Sequence, residues 1–400
     1  MKRHLSIDFG IFLTSILWPF GGLIASIVNF RSKYSKYSFV IASAFFAYTI
    51  GLEGDLERSC GEFYKAANFT WTQIFSDFIT LKQIELYTPL VTKFVSSIGL
   101  SYKVGFIFYM IIYSTLYVNI IGLLLRKFPS KLTVYHFLLF FGVATYFSFR
   151  SFISIRFSTA LLLFVYSFLQ TVLYNKPRYL LLCLLTPLIH LGFLVSLPVL
   201  PLYLLFKDKL VIVFICFILS FFVSQNSFVS FLESKSVNYE ESVINDKVKS
   251  YASEEGRASL ESRYENEAKN ATIKLAFLNN LDKLMLSILL YTLIFLFVIR
   301  NKLVDFEYYN PYFVLCLFLG ALSNIMMNIS NGVRFLYLTD WLILGLLLLL
   351  YIKNSEIKIY KIYILVLIPA LLILNITKAV SAHRLLSPEF FYSNFFFAVL

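Results

Sequence analysis

Three arginines at the ends of apolar runs are the first residues in this sequence that suggest chemistry. Arg150 and Arg156 flank the short turn "RSFISIR", and Arg334 opens an apolar run after Asn331-Gly332. A planar guanidinium can hold a phosphate or diphosphate through two parallel hydrogen bonds. Arginine near a membrane span usually faces protein, a cavity or the headgroup layer, because its charge is costly in hydrocarbon. The three residues therefore predict a diphosphate-binding site, with snorkelling to lipid phosphates as the alternative for Arg150 and Arg156.

A lone histidine, His190, lies in an apolar segment, residues 180–206, that contains Pro187, Pro198 and Pro201. If this segment enters the membrane and returns as two short or re-entrant pieces, the short basic loops all fall on one side, and the turn lies near His190. Irregular backbone at membrane depth needs protein or a water-filled cavity around it. His190 is therefore expected beside a cavity, as an acid, a base or a hydrogen-bond donor. The alternative is a structural hydrogen bond to a carbonyl.

Acidic residues are candidates for activating a hydroxyl group. Glu53 and Asp55 lie with Glu57 in "GLEGDLER", just after the second apolar run, and Glu85 follows in "QIELY". A carboxylate there could deprotonate a sugar hydroxyl or hydrogen-bond sugars, and a solvated loop start is the alternative. The four histidines lack metal-ligand spacing, and the sequence contains no nucleotide-binding loop. Neither a metal nor a cofactor is therefore expected.

The candidate residues are carried by an unusually apolar chain. Of its 400 residues, 59% are hydrophobic and 14% are charged, with a mean hydropathy of +0.75, whereas soluble domains carry about a quarter charged residues. We therefore predict an all-α polytopic transmembrane helical bundle that forms a single integral membrane domain over residues 1–400. About 11–12 spans, including short or re-entrant segments, are expected from the apolar runs. They lie near 8–30, 38–52, 104–125, 132–149, 156–174, 179–190, 191–206, 210–231, 283–299, 311–330, 335–352 and 362–377.

Charge divides the connecting loops into two groups. Short loops such as "RKFPSK" (126–131) and "NKPR" (175–178) are rich in Lys and Arg, which places them in the cytoplasm by the positive-inside rule. The long loops 53–103 and 232–282 contain more acids than bases and are expected outside. We predict an interfacial helix in the first loop and two amphipathic helices in the second, with solvated caps as the alternative. The net charge of +12 then reflects topology rather than nucleic-acid binding.

The segment around Arg156 and His190 resembles a known family. "IRFSTALLLFVYSFLQTVLYNKPRYLLLCLLTPLIHLGFLVSLPVL" has an Arg that opens a span, a basic turn, and a span that closes on "IHLGF". This pattern is similar to the EpsG-like branch of Wzy-type polysaccharide polymerases. "GLEGDLERSCGEFYKAA" looks like the acidic first outer loop of that family, and "NGVRFLYL" resembles its late Arg-Phe element.

The resemblance implies an enzyme that joins oligosaccharide repeat units carried on undecaprenyl diphosphate. The site would face the exterior or periplasm from the bacterial cytoplasmic membrane, and undecaprenyl diphosphate would be released. Arg150, Arg156 and Arg334 would stabilise the leaving diphosphate, and His190 or an outer carboxylate such as Glu53 or Asp55 would orient or deprotonate the hydroxyl. The bilayer and a chain-length regulator are the candidate partners. The product would be O-antigen, capsule or exopolysaccharide.

Three other functions fit parts of the sequence. An O-antigen ligase would use the same donor with a different acceptor and would share the arginines and His190. A transporter of lipid-linked sugars would need charged groups along a path across the membrane, and few ionisable residues occur at mid-span. A membrane O-acyltransferase would need a histidine on the cytoplasmic side, whereas His190 is expected to face outward.

Overall fold

The computed structural model describes residues 2–52, 55–128, 133–146, 154–223, 273–327, 332, 334–381 and 387–394. Within these ranges the regular structure is entirely helical, without a β-strand. In a bilayer a helix satisfies its backbone hydrogen bonds internally, so helices are the expected elements for so apolar a chain. The predicted all-α polytopic bundle is confirmed.

The described helices follow one another along the chain with short connections. The α-helices are α1 Lys2–Leu17, α2 Pro19–Val28, α3 Lys33–Thr49, α4 Asp55–Ala67, α5 Trp71–Ile79, α6 Tyr87–Ser97, α7 Tyr102–Leu125, α8 Val134–Tyr146, α9 Ile155–Tyr174, α10 Thr186–Ile189, α11 Val199–Phe206, α12 Leu210–Ser220, α13 Ile273–Ile299, α14 Phe306–Met326, α15 Arg334–Asn354, α16 Lys358–Ser381 and α17 Pro388–Tyr392. Short 3₁₀ helices cover Pro177–Leu185, Leu191–Ser196 and Arg300–Lys302.

Five of the described helices are long and apolar enough to cross a membrane: α7, α9, α14, α15 and residues Lys358–Lys378 of α16. Six shorter apolar segments lie among the other described residues. A helix rises about 1.5 Å per residue, so about 20 residues span the hydrocarbon layer. The chain is therefore a multi-pass membrane protein.

The first predicted span, 8–30, is divided in the structure. Helix α1 ends at Leu17, and α2 begins at Pro19 after Trp18, whose φ of −146° is not helical. Proline has no N–H and is compatible with the first turn of a helix but not with its interior. The Trp18 Nε1–H donates to the carbonyl oxygen of Phe391 at 2.8 Å. One long apolar run thus forms two helices.

The predicted interruption near His190 is present. A 3₁₀ helix leads into the short α10, His190 follows in an extended conformation with φ −148° and ψ 115°, and a second 3₁₀ helix begins at Leu191. The interfacial helix expected in the first long loop corresponds to α6. The amphipathic helices predicted for 232–282 lie outside the described residues, apart from the start of α13.

The helices group into two compact units. The first combines the described parts of Met1–Lys127, Ser148–Phe193 and Lys378–Leu400, and its core is the packing of α7 against α3 and α9. The second combines the described parts of Phe128–Phe147 and Leu194–Thr377. Within the second unit α15 packs against α8, α13 and α14, and its fully buried Asp340 accepts a hydrogen bond from the Tyr146 hydroxyl at 2.8 Å.

Candidate active site

Arg156 lies in the first turn of α9, in the first unit. The apolar face of α9 is buried, whereas 29% of the Arg156 side chain is exposed. Its Nη1 donates to Glu85 Oε2 at 2.8 Å and lies 3.9 Å from Glu62 Oε2. A cation in the first turn opposes the helix dipole, so the carboxylates compensate an otherwise unfavourable position. Arg156 is thereby held in one place.

Glu85 connects Arg156 to the segment that contains His190. While Oε2 accepts from Arg156, Oε1 accepts from the backbone N–H of Leu191 at 2.9 Å. The backbone adds a second connection, because the N–H of Leu86 donates to the carbonyl oxygen of Leu188 at 2.8 Å. Only 18% of the Glu85 side chain is exposed. A hydrogen bond to a charged group contributes about 1.5–3 kcal/mol, so this bridge fixes two distant parts of the chain together.

The imidazole of His190 is oriented by its neighbours. Its backbone N–H closes α10 by donating to Thr186, and its Nδ1 accepts from the N–H of Gly192 at 3.1 Å. The ring meets Phe157 and Phe193 edge-on, with centroids 5.5 and 6.3 Å away. Because Nδ1 is an acceptor, the neutral ring carries its proton on Nε2. His190, which is partly exposed, therefore presents a hydrogen-bond donor.

Glu62 on α4 is the more accessible carboxylate of the site. Arg58, one turn earlier, places its Nε 3.3 Å from Glu62 Oε1. The Glu62 side chain is 31% exposed, against 18% for Glu85, and its 3.9 Å separation from Arg156 exceeds hydrogen-bond distance. Helix α4 packs on α6 and α7, and Lys93 closes its C-terminus by donating to the carbonyl oxygen of Ala67 at 3.0 Å. Glu62 is thus positioned by a packed helix but loosely held.

Two tyrosines lie beside these charged groups. The rings of Tyr87 and Tyr109 are 5.1 Å apart, and the Tyr109 hydroxyl donates to the carbonyl oxygen of Thr88. Burial, followed by the neighbouring Tyr109, raises the pKa of the Tyr87 phenol. Tyr87 therefore stays neutral, and the charge of the described site comes from two carboxylates and two guanidinium groups.

A comparison with known protein families gives a match to the EpsG family over residues 36–390, which is most of the chain and includes Glu62, Glu85, Arg156 and His190. The chain belongs to the EpsG family. Membership supports a membrane polysaccharide polymerase-like role of the glycosyltransferase kind, with a lipid-linked oligosaccharide as substrate. Comparisons with curated proteins and with solved structures gave no match.

In this EpsG-family chain, the structure brings together Arg156 and His190 from the predicted site. Glu53 and Arg150 lie outside the described residues, as does the side chain of Asp55, although Asp55 begins α4. Arg334 begins α15 and belongs to the second unit. The three-arginine site and the catalytic role of Glu53 or Asp55 stay predictions.

Glu62 was not among the predicted site residues of this EpsG-family protein, although it lies seven residues after Asp55 on the same helix. The available signal was its spacing from Arg58, since residues four apart face the same side of a helix. Glu85 was a predicted carboxylate, but its bridge to Leu191 spans 106 residues and has no local signature.

Proposed function

We propose that this protein polymerises oligosaccharide repeat units carried on undecaprenyl diphosphate, at the outer face of the bacterial cytoplasmic membrane. The growing glycan is the donor, and a hydroxyl group of the lipid-linked acceptor unit attacks it. The observation that carries the proposal is the Glu85 bridge, which places Arg156 and the His190 segment at one end of the first unit. EpsG membership supplies the reaction class.

The proposed reaction is a single displacement at a sugar carbon. The acceptor oxygen forms a bond to the anomeric carbon of the donor, and the bond between that carbon and the diphosphate oxygen breaks. The electron pair leaves with undecaprenyl diphosphate, and the hydroxyl proton passes to a carboxylate of the protein. The donor already contains the activated bond, so no nucleotide is consumed.

Arg156 is proposed to bind the leaving diphosphate. Glu62 attracts the guanidinium from 3.9 Å without a hydrogen bond, and a phosphate oxygen has the same sign of charge and accepts the same donors. Diphosphate can therefore replace Glu62 beside Arg156, while Glu85 continues to orient the guanidinium at 2.8 Å. Negative charge grows on the diphosphate as the bond breaks, and a fixed cation stabilises that charge most in the transition state.

The remaining roles follow from hydrogen-bond geometry. Because the Nδ1 of His190 accepts from Gly192, its Nε2–H is suited to donating to a sugar or phosphate oxygen rather than to removing a proton. Glu62, once displaced from Arg156, is then the proposed base for the acceptor hydroxyl. Glu85 already accepts two hydrogen bonds and acts as a positioning residue.

The direction of α9 supports an outward-facing site. Arg156 is in its first turn and Tyr174 is its last residue, which puts the two ends about 30 Å apart. The loop that follows Tyr174 and the loop that follows α7 are both basic and are expected in the cytoplasm. Tyr174 donates to the carbonyl oxygen of Leu123 at the end of α7, so both loops lie at the end opposite Arg156.

The test is a glycan ladder from cells that lack this gene and carry either wild-type protein or Arg156→Lys. Lysine keeps the charge but lacks the planar fork, so we expect polymerisation to fall about 100-fold, the usual loss for one oxyanion-stabilising donor. Arg300→Lys is the matched control, since Arg300 belongs to the second unit and donates to the carbonyl oxygen of Phe297. A normal ladder from Arg156→Lys, or from the empty mutant strain, would contradict the proposal.

A further inference from the structure

The end of the first unit opposite Arg156 carries a group of cations that the proposed reaction does not use. The group, which we call the basic cluster, consists of Lys36 on α3 with Arg126 and Lys127, which follow α7. Lys127 Nζ lies 4.9 Å from the ring centre of Tyr174, the last residue of α9. Three helices of the first unit thus bring positive charge to one place.

The segments that form the basic cluster contain no acidic residue. Residues 9–52 and 86–207 lack Asp and Glu altogether. Within the described residues, neither Lys36 nor Arg126 has a carboxylate partner. Asp8, just before the first of these segments, accepts from the side-chain amide of Asn29 at 3.4 Å. The compensating anion for Lys36 and Arg126 therefore has to come from outside the described protein.

Lys36 occupies an unfavourable place for an isolated cation. Its side chain crosses Gly122 of α7 so closely that a Cβ atom on Gly122 would lie 2.6 Å from Nζ. Burial, followed by the Arg126 guanidinium, lowers the pKa of the Lys36 ammonium. Position in the first turn of α3 adds repulsion from the helix dipole. A bound anion would relieve all three effects.

We propose that Lys36 and Arg126 form a binding site for the phosphate group of an anionic membrane lipid, in the leaflet opposite the Arg156 site. The site is built rather than a diffuse surface charge, because the ammonium reaches its place only across a glycine. Both residues lie at the ends of helices that pack closely together, at the depth where lipid phosphates lie. The inference goes beyond the proposed function and does not depend on it.

The experiment measures lipid binding by native mass spectrometry of the purified full-length protein in detergent. Phosphatidylglycerol and phosphatidylcholine are titrated separately, and the dissociation constant of the first bound lipid is determined. One cation near an anionic headgroup contributes about a fivefold factor, so we expect Lys36→Gln with Arg126→Gln to weaken phosphatidylglycerol binding roughly 25-fold. Lys82→Gln, which removes an exposed charge near the other end, should bind like wild type.

A second variant tests the shape of the site at constant charge. Gly122→Val displaces the Lys36 ammonium and should weaken phosphatidylglycerol binding severalfold. Equal binding by wild type, Gly122→Val and the double variant would overturn the site, as would equal affinity for the two lipids. Displacement of the lipid by excess inorganic phosphate would assign the anion to solution and overturn the lipid. If Gly122→Val does not fold, the double variant and Lys82→Gln still decide the question.

Discussion

At the level of single residues, the imidazole of His190 offers a sharp test because its donor and acceptor sides are distinguishable. Glutamine can place an N–H near the position of Nε2, whereas alanine cannot. We expect His190→Ala to lower kcat about 100-fold or more and His190→Gln to retain a measurable part of the activity. The measurement is polymerisation of a purified lipid-linked repeat unit, after membrane insertion of both variants has been verified. Equal loss in both would count against the donor role.

Glu62 provides a separate prediction at the same level. Replacing the proposed base by Glu62→Gln should lower kcat by a factor of about 100 to 10,000 with a small change in KM. Glu85→Gln keeps the acceptor for the Leu191 N–H but removes the charge opposite Arg156, so its effect should include KM. Asp77→Asn, a carboxylate on α5, is the control. A full-activity Glu62→Gln enzyme would move the base elsewhere.

The sequence alone indicated Arg156 and His190 because both are rare residue types at the edge of apolar runs. It could not indicate Glu62, since α4 contains several charged residues and only tertiary packing decides which of them faces Arg156. The two bonds of Glu85 connect positions 71 and 106 residues apart, and no local pattern encodes such a distance.

Among the secondary structure elements, the junction between α10 and the following 3₁₀ helix is where the site can be altered without changing a functional side chain. Leu191→Pro removes the N–H that donates to Glu85. The extended His190 already has the backbone preferred before proline, and proline is tolerated at the start of a helical turn. Leu191→Ala also shortens the side chain but keeps the N–H. We expect about tenfold lower activity in Leu191→Pro than in Leu191→Ala, measured in the same assay.

Helix boundaries were predicted well where hydrophobicity alone decides them and poorly where backbone chemistry intervenes. The predicted span 156–174 corresponds to α9, Ile155–Tyr174. In contrast, the predicted span 8–30 ignores Pro19, which starts a new helix. The 3₁₀ character of Pro177–Leu185 was equally hidden, since an apolar run has the same appearance in either kind of helix.

For the whole molecule, the proposed orientation predicts which side of the membrane each end of the first unit faces. In a background with the native cysteines replaced by serine, Thr80→Cys, at the end of α5, should react with a membrane-impermeant thiol reagent in intact cells. Lys176→Cys, in the loop after α9, should react only after permeabilisation. Both positions are exposed, so accessibility does not bias the comparison. The reverse pattern would invert the topology and place the Arg156 site in the cytoplasm.

The distance along the chain between Glu85 and Arg156 also sets an order of events during biosynthesis. Glu85 leaves the ribosome 71 residues before Arg156, so on the proposed orientation it is already translocated when α9 is inserted. Arg156 then arrives on the side that translocation disfavours for a positive charge, and no later acidic residue follows until Asp208. The waiting carboxylate gives the nascent α9 a partner at its correct end, so the ion pair that organises the mature site would also direct the insertion of that helix.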